Sequence, residues 1–446
     1  MKILFVYPKF KKYLETNPNI LKSVGGEKIH YAAAIYMPAL GIPILTALTP
    51  KEHDVRFVDG HLDEIPYDEH FDLVAISAFT PQAKAAYDVG DGFRARGVKT
   101  IMGGLHAKNY PEDCKKHVDS VYIGEAETLW LEVLEDVRKG CLKPFYDGGS
   151  TFDLNNYVVP DRRLLKEKKG YDWRPLILQN IRGCKFNCAY CAITNCDGKK
   201  FRFRRIDQIM EEIQDNLDLD GMFIGDDQYL VPDEEIEKFA FEFFTELKNI
   251  NYKKHILLTA EPLLTKNRKL LKLIRESGVN TLYFVMGWDP VAVRALSYNE
   301  PEEAEESIKI LQDEGFNLFG SIGVGQDCDT PDIFPRTIEF LERNKITHSE
   351  FWIQTPFPGT PAWKKYKKQG RILTENFDLY NGAHVVYQPK KMTKEQLEDG
   401  FLYLWKEFYE RNNLSTDELL DYYYLSDEYK EKLGVSDSDN DDKKDK

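Results

Sequence analysis

Short runs of β-branched and aromatic residues alternate with helical patterns along most of this 446-residue chain. The first series has five such runs, each ending in a turn: KILFVYP, DVRFVD, DLVAISAF, KTIMGG and SVYIG. Alternating strands and helices are typical of parallel sheets covered by helices. Residues 1–142 are therefore predicted to form an α/β domain with a doubly wound parallel sheet.

A second series of six runs follows a stretch rich in Pro, Gly, Asp and Asn, and this stretch, residues 143–175, is predicted to be a linker. The six runs are LILQNI, GMFIGDD, HILLTA, TLYFVMGWD, LFGSIGVG and EFWIQTP. Six strand–helix units predict a partial (β/α)6 barrel over residues 176–370, with its chemistry at the strand tops. A small helical region is expected at 371–434 and a disordered acidic tail at 435–446.

The composition restricts the partners of the chain. A formal net charge of −14 disfavours nucleic acid, because affinity for a phosphate backbone rests on cationic side chains. No apolar run is long enough to cross a bilayer, and the short N-terminal run is interrupted by Pro8 and Lys9. Seven cysteines without an export signal indicate a reducing cytoplasm. A small-molecule or peptide substrate is expected.

Ligands of doubly wound sheets bind outside the carboxyl ends of the strands. In the first domain this rim is rich in glycine and polar residues, and glycines let a backbone approach a bulky ligand closely. The alternative is that these glycines only turn the chain. The predicted ligand-binding residues of the rim are Tyr7, Ser77, Thr80, Gly103, Gly104, His106, Gly124, Glu125 and Glu127.

Three of the seven cysteines, Cys184, Cys188 and Cys191, fall within the ten residues RGCKFNCAYC. A structural zinc site normally uses two close ligand pairs separated by a dozen or more residues, and Cys196 alone does not supply a second pair. Iron–sulfur clusters take thiolates at such tight spacing, and three thiolates on a four-iron cluster leave one iron open. The spacing therefore favours an iron–sulfur cluster over zinc or a chance grouping.

The cysteine spacing resembles the CxxxCxxC signature of the radical S-adenosylmethionine (radical SAM) enzymes. The resemblance implies a [4Fe-4S] cluster held by the three cysteines, with SAM on the open iron as the source of a 5′-deoxyadenosyl radical. Arg204 lies in the basic run KKFRFRR, so a solvated surface arginine is the alternative for that residue. By position along the barrel, the resemblance implies SAM contacts from Tyr190, Arg204, Gly225, Asp226, Glu261, Ile322 and Gly323.

The N-terminal runs, together with TPFPGTPAW near the end of the barrel, resemble the class of these enzymes that carries a cobalamin-binding domain. The resemblance implies cobalamin at the rim of the first sheet, an external one-electron reductant of the flavodoxin or ferredoxin type, and methylation of an unactivated carbon. The alternative within the class is a non-methylating reaction, such as the ring closure of anaerobic magnesium-protoporphyrin ester cyclases. Fold similarity does not choose between them.

Other classes fit the sequence less well. A transfer-RNA methylthiotransferase would add further cluster cysteines and an RNA-binding barrel, and a cobalamin carrier would have no use for an open-iron cluster. The motif DGHLDE is similar to a cobalt-ligating signature, but it follows the wrong strand, so His61 is expected to be a surface turn residue. The chain also departs from the class on the fourth barrel strand, where Gly287 to Pro290 replace Gly-x-Glu-Ser. The aromatic residues Trp405, Phe408 and Tyr409 either cover a substrate or pack in the core.

Overall fold

The computed structural model describes most of the chain: residues 1–11, 13–20, 39–168, 171, 175–186, 188–219, 221–226, 233–260, 265–287 and 301–412. The predicted SAM ligand Glu261, residues 288–290 and the predicted acidic tail lie outside the described residues. Within them, no helix combines the length and apolar character needed to cross a membrane.

The first sheet has six parallel strands in the order β2-β1-β3-β4-β5-β6. The strands are β1 (Lys2–Tyr7), β2 (Asp54–Asp59), β3 (Leu73–Ser77), β4 (Lys99–Gly103), β5 (Ser120–Gly124) and β6 (Phe145–Gly149). The doubly wound fold class and its five predicted strands are confirmed. The sixth strand, FYDGG, lies in the predicted linker, so the sheet extends past residue 142. An edge strand pairs on one side only and tolerates Asp and Gly, which hid it from the sequence pattern.

Helices cover both faces of this sheet because β1 is apolar on both sides. Leu4 and Val6 pack in one core with Phe93, whereas Ile3 and Phe5 pack in the other with Trp130. This is the pattern of a parallel sheet buried on both faces. The first helices of the chain are α1 (Tyr13–Thr16), α2 (Gly41–Leu48), α3 (Ala83–Arg94), α4 (Leu105–Asn109), α5 (Pro111–His117), α6 (Trp130–Lys139) and α7 (Arg163–Lys166).

The second sheet contains the six predicted barrel strands in the order β7-β10-β11-β12-β13-β14, all parallel. A short antiparallel hairpin of β8 (Ile181–Arg182) and β9 (Arg202–Phe203) follows the first of them and encloses the cysteines. The predicted partial barrel is therefore confirmed. Its strands are β7 (Leu176–Leu178), β10 (Met222–Ile224), β11 (Ile256–Thr259), β12 (Thr281–Gly287), β13 (Asn317–Val324) and β14 (His348–Ile353).

Helices surround the barrel and bury its outer face in one large core. The C-terminal helix packs its aromatic residues there: Trp405 and Phe408 lie 5.4 and 5.5 Å from Phe351 on β14, centroid to centroid. The aromatic stripe is therefore core packing. The helices are α8 (Ile193–Cys196), α9 (Ile206–Gln214), α10 (Glu234–Ile250), α11 (Arg268–Glu276), α12 (Pro301–Asp313), α13 (Ile333–Arg343), α14 (Pro361–Lys368) and α15 (Lys394–Asn412).

The segment between α14 and α15 returns to the first domain. The Phe377 ring meets the His106 ring edge-on, with centroids 5.1 Å apart. The Asn381 amide donates to Thr16 Oγ1 at 2.7 Å, and the Asn17 amide donates to the Ala383 carbonyl at 3.0 Å. The two sheets are thus joined by contacts beyond the direct connection of the chain.

Candidate functional site

A cavity of about 400 Å³ lies between the carboxyl edge of the first sheet and the beginning of the barrel. The first sheet contributes Ser77 and Gly103 to its lining, and the barrel contributes Ile177, Arg182 and Gly225. Ligands of doubly wound sheets bind at this edge. The barrel therefore forms the opposite wall of the ligand site of the first domain.

Most of the predicted rim residues line this cavity, and three do not. The lining residues are Ser77, Gly103, Gly104, Gly124, Glu125 and Glu127. Tyr7 and Thr80 are buried outside the lining, at 7% and 5% exposure. His106 is fully buried and lies 2.8 Å from the Tyr87 hydroxyl through Nε2. Burial lowers the pKa of His106 to about 4, so the ring is neutral at pH 7 and serves the interior of the domain.

Two rim glycines are required by the local backbone conformation and packing, independently of any ligand. Gly104 and Gly124 have φ angles of +94° and +92°, in the region that favours glycine. A Cβ atom on Gly124 would lie 2.1 Å from the Gly149 carbonyl oxygen, and one on Gly104 would lie 2.5 Å from the Ala78 carbonyl oxygen. These contacts are with neighbouring backbone, which supports the chain-turning alternative at both positions.

The three predicted cluster cysteines lie in the loop between β8 and β9. The Cys184 amide donates to the Gly198 carbonyl at 3.1 Å, and the Cys191 amide donates to the Cys188 carbonyl at 3.1 Å. The second bond closes a turn that brings two of the cysteines near each other. Gly183, at φ +86°, makes room for the loop, since a Cβ there would lie 2.3 Å from the Lys200 carbonyl oxygen.

The three cysteines of the loop differ in their exposure to solvent. Cys184 is buried, whereas Cys188, Cys191 and Tyr190 are half-buried. In the described part of the chain, no group of three or more His, Cys, Asp or Glu side chains is arranged to hold a single metal ion. A four-iron cluster makes a different demand, because each thiolate binds its own iron. Three thiols on one short loop fit that donor set, and the assignment of the ligands stays a prediction.

Cys196, the cysteine predicted not to bind the cluster, lies at the end of α8. Its side chain is buried and lines the cavity, and the Asn109 amide donates to its sulfur at 3.5 Å. Its surroundings therefore come partly from the first domain. This distinguishes Cys196 from the three cysteines ahead of it.

Two carboxylates of the rim are paired with arginines of the cysteine hairpin. Arg182 Nη1 lies 2.8 Å from Glu125 Oε1 and 2.9 Å from Glu127 Oε1. Arg202 Nη1 lies 2.8 Å from the same Glu125 oxygen. Burial acts to lower the pKa of Arg182, but the carboxylates of Glu127 and Glu125 raise it above the ordinary value. Glu125 and Glu127 therefore join the two domains as well as lining the cavity.

Gly225 and Asp226 follow β10 at the cavity. Gly225 lines the cavity directly. Asp226 lies behind it, where its Oδ1 accepts the backbone amides of Asn180 and Ile181, the latter at 2.9 Å. Burial raises the pKa of Asp226 to about 7, against the opposing effect of these amides. Asp226 fixes the chain between β7 and the cysteine hairpin.

Arg204 is buried, which contradicts the alternative of a solvated surface arginine. Its side chain is 0% exposed, its Nη2 atom lies 2.7 Å from Glu212 Oε2, and its guanidinium stacks 3.8 Å from the Tyr157 ring centroid. The surface alternative for Arg204 is wrong. A guanidinium held in this way could contact SAM only if its contacts with Glu212 and Tyr157 were broken. The geometry therefore favours a structural role for Arg204.

The two SAM residues predicted on β13 face opposite sides. Ile322 is fully buried in the outer core, so only its backbone is available to the barrel interior. A Cβ on Gly323 would lie 2.6 Å from the indole ring of Trp352, its register partner on β14. Gly323 therefore makes room for a ring inside the barrel.

His61 is not the surface residue expected from its turn. Its side chain is 5% exposed, and Nδ1 lies 3.2 Å from Asp59 Oδ1. Nε2 lies 3.2 Å from the Phe10 carbonyl oxygen and 3.3 Å from the Phe10 amide nitrogen. Both ring nitrogens thus have protein partners.

Arg182 and Arg202 are functional residues that the sequence reasoning missed. A visible signal existed for the first, because Arg182 follows the run LILQNI and lies two residues before the predicted cluster ligand Cys184. The second is one of five basic residues in KKFRFRR, and nothing local distinguishes it from the others. Their shared partner, Glu125, lies 57 residues before Arg182 in sequence.

Comparison with known proteins supports this architecture. Residues 179–341 match the model of the radical SAM superfamily. The chain is 29% identical over 399 residues to the bacteriochlorophyllide d C-8(2)-methyltransferase of Chlorobaculum tepidum, covering 84% of this chain and 86% of that protein. It is 27% identical over 412 residues to the C-12(1)-methyltransferase of the same organism, covering 90% and 87%.

A solved structure shows the same arrangement of domains. The radical SAM methyltransferase TsrM from Kitasatospora setae, determined with cobalamin and a [4Fe-4S] cluster bound, superimposes with a TM-score of 0.63. The match is 14% identical and covers 82% of this chain and 78% of that one, which establishes a common fold. Residues 179–341 are therefore a radical SAM domain, and the chain shares the fold of a radical SAM methyltransferase that binds cobalamin and a [4Fe-4S] cluster.

Proposed function

We propose that this chain is a cobalamin-dependent radical SAM methyltransferase acting on an unactivated carbon of a small molecule or peptide. One observation carries the proposal: the cavity at the carboxyl edge of the first sheet is lined on its barrel side by Arg182, Cys196 and Asp197 of the hairpin that also presents the three cysteines. A cofactor in that cavity would lie next to a cluster on those cysteines. The relatives described above are methyltransferases, which supports the same reaction type.

The residues present suit these cofactors in part. We propose Cys184, Cys188 and Cys191 as cluster ligands, Gly225 as a backbone contact for SAM, and the cavity as the site for a portion of cobalamin. A volume of about 400 Å³ suits a fragment of so large a molecule, and the remainder would face the barrel. When bound, these groups supply radical generation from SAM and a methyl group for transfer, with electrons from an external reductant.

The chain's own contribution is positioning. The Arg182 and Arg202 guanidiniums hold the cysteine hairpin against the Glu125 carboxylate. Apolar lining residues such as Ile42, Ile101 and Trp130 exclude water from the cavity.

The experiment is anaerobic turnover of the reconstituted enzyme with methyl-labelled SAM and an extract of small molecules. Label in a product, together with 5′-deoxyadenosine and S-adenosylhomocysteine, is the expected result. Deoxyadenosine without labelled product would instead favour a non-methylating reaction such as ring closure. A protein that binds zinc and contains no acid-labile sulfide would contradict the proposal altogether.

A further inference from the structure

The barrel strands divide their side chains between two faces. On β14, Phe351 points outward and packs on Trp405 of α15, whereas Glu350 and Trp352 point the opposite way because successive residues alternate. On β13, Leu318 and Ile322 belong to the outer core, so Ser321 faces the interior. The interior face of these strands is therefore not wholly apolar.

Two interior side chains donate to one carboxylate oxygen of Glu350, and a third holds one of those donors in place. The Tyr283 hydroxyl on β12 donates to Glu350 Oε1 at 2.5 Å, and the Ser321 hydroxyl on β13 donates to the same atom at 2.8 Å. The Trp352 indole nitrogen donates to Ser321 Oγ at 3.0 Å, which fixes the serine hydroxyl. These donors occupy adjacent strands, so the carboxylate is held by the sheet itself.

The second oxygen of Glu350 has no hydrogen-bond partner within the part of the chain that the structure describes. Both hydrogen bonds of the carboxylate end on Oε1, and no donor to Oε2 exists among the residues that the structure describes. No salt bridge to Glu350 is found among them either, and its side chain is half-buried. Burial raises the pKa of Glu350, while the two hydroxyls act to lower it. The group is a preorganised hydrogen-bond acceptor with one unused oxygen.

Aromatic rings border this acceptor. The Tyr283 and Phe319 rings stack with centroids 5.3 Å apart and an interplanar angle of 18°. Phe319 and Ser321 lie two residues apart on β13 and therefore share the interior face. The Trp352 ring lies beside them over Gly323. Among the described residues, these rings form flat apolar walls beside the Glu350 carboxylate and its hydroxyl partners.

We propose that Glu350 recognises the substrate, and that this substrate is a flat apolar molecule with an N–H or O–H donor on its edge. The inference rests on the proposed function and names the substrate class of the same site. A pure hydrocarbon would strip water from Oε2 without replacing it, and the unsatisfied acceptor would weaken its binding roughly tenfold or more. A substrate carboxylate at this position would be repelled by like charge.

The test compares two probes of equal shape. Indole carries one N–H, and 1-benzofuran replaces that N–H by an acceptor oxygen. Equilibrium dialysis against the anaerobically reconstituted holoenzyme measures the dissociation constant of each. A hydrogen bond to a charged acceptor predicts a preference for indole of roughly tenfold or more.

Glu350→Gln should bring the two dissociation constants together, because the carboxamide is a neutral and weaker acceptor. The matched control is Glu342→Gln on α13, an exposed carboxylate paired with Arg411, which should keep the full preference. Equal binding of both probes by the wild type, or no binding of indole at millimolar concentration, overturns the proposal. That comparison needs no variant, so it decides the matter even if Glu350→Gln does not fold.

Formation of 5′-deoxyadenosine is measured on the same samples to separate the two proposals. A wild type that cleaves SAM but shows no preference for indole contradicts only the role of Glu350. A wild type that prefers indole but never cleaves SAM supports the acceptor and contradicts the proposed function.

Discussion

The cavity edge and the barrel interior both hold carboxylates that are at least partly shielded from solvent, but the two regions provide different partners for them. At the cavity, Glu125 and Glu127 face the guanidinium groups of Arg182 and Arg202. In the barrel, Glu350 is held by the neutral hydroxyls of Tyr283 and Ser321. Opposite charges at close range neutralise one another, whereas hydroxyls orient a carboxylate and leave its charge in place.

The difference separates a structural joint from a recognition site. Removing one partner of a buried ion pair leaves an uncompensated charge, so the cavity network should be sensitive to single substitutions. Removing the charge of a carboxylate held by hydroxyls leaves its hydrogen bonds largely intact, so the barrel site should tolerate the change.

The largest effect is expected at the cysteines. Replacing Cys184, Cys188 or Cys191 with Ala should abolish cluster absorbance and SAM cleavage, because two thiolates do not hold a four-iron cluster with one defined open iron. Iron and sulfide analysis with deoxyadenosine chromatography provides the measurement. Cys196→Ala is the control and should retain both signals; the reverse pattern would show that the ligands are misassigned.

Arg182→Ala should be the most damaging change at the cavity edge. It leaves Glu127 and part of the charge of Glu125 buried without a cation, at a cost of about 3–5 kcal/mol in the free energy of unfolding. Urea unfolding of the anaerobic protein measures it. Arg182→Lys retains the charge and should lose much less. If the alanine variant lost less than about 1 kcal/mol of unfolding free energy, this ion pair would stabilise the protein no more than an exposed surface salt bridge does.

Asp226 should make stability depend on pH. Its pKa is raised from 3.8 to about 7, so the folded chain binds the proton more tightly than the unfolded chain does. This contribution is fully present below pH 4 and is lost as the pH rises to about 7. Asp226→Asn keeps an oxygen for the amides of Asn180 and Ile181 and removes the titration. The unfolding free energy of the variant relative to wild type should therefore rise by roughly 2–4 kcal/mol between pH 4 and pH 8; a constant difference would contradict the raised pKa.

Glu350→Gln should cost little stability, about 1 kcal/mol or less, since the amide oxygen still accepts from Tyr283 and Ser321. Tyr283→Phe removes one donor and should cost a similar amount. The same urea experiment applied to Arg182→Ala gives the direct contrast. Equal losses for Glu350→Gln and Arg182→Ala would remove the distinction between the two carboxylate sites.

The smallest effect is expected at His61. His61→Ala should leave the cobalamin content and absorption spectrum of the reconstituted protein unchanged, because both ring nitrogens already lie against Asp59 and Phe10. Imidazole nitrogen splitting in the cob(II)alamin resonance spectrum, or loss of cofactor from the variant, would show that the histidine is a cobalt ligand.

The sequence predicted those features that depend on neighbours along the chain. Eleven predicted strands appear where apolar runs were found, since a strand buried on both faces has a local signature. β6 escaped because Asp147, Gly148 and Gly149 dilute its pattern, and an edge strand needs only one partner. Reasoning from neighbouring residues was sufficient to predict the other strands of the two sheets. It was insufficient for β6, which forms by pairing with a sheet that is already present.

Side-chain destinations were harder to predict, because they depend on residues distant in sequence. Arg204 was weighed as a ligand contact or a surface residue, and its burial depends on Tyr157, 47 positions earlier. His106 was placed at the rim from its position after a strand, but the Tyr87 hydroxyl draws it into the domain interior. Glu350 carried a readable signal, a carboxylate inside the strand HSEFWI, but its donors come from two other strands.

The ion pairs at the cavity restrict how the two domains can be exchanged between proteins. Arg182 and Arg202 belong to the barrel gene segment, and their partners Glu125 and Glu127 belong to the N-terminal one. A chimera that imports a foreign first domain without acidic residues at these positions would bury two unmatched cations beside the cysteine loop. The two gene segments are therefore expected to recombine successfully only when the arginines and their acidic partners are inherited together.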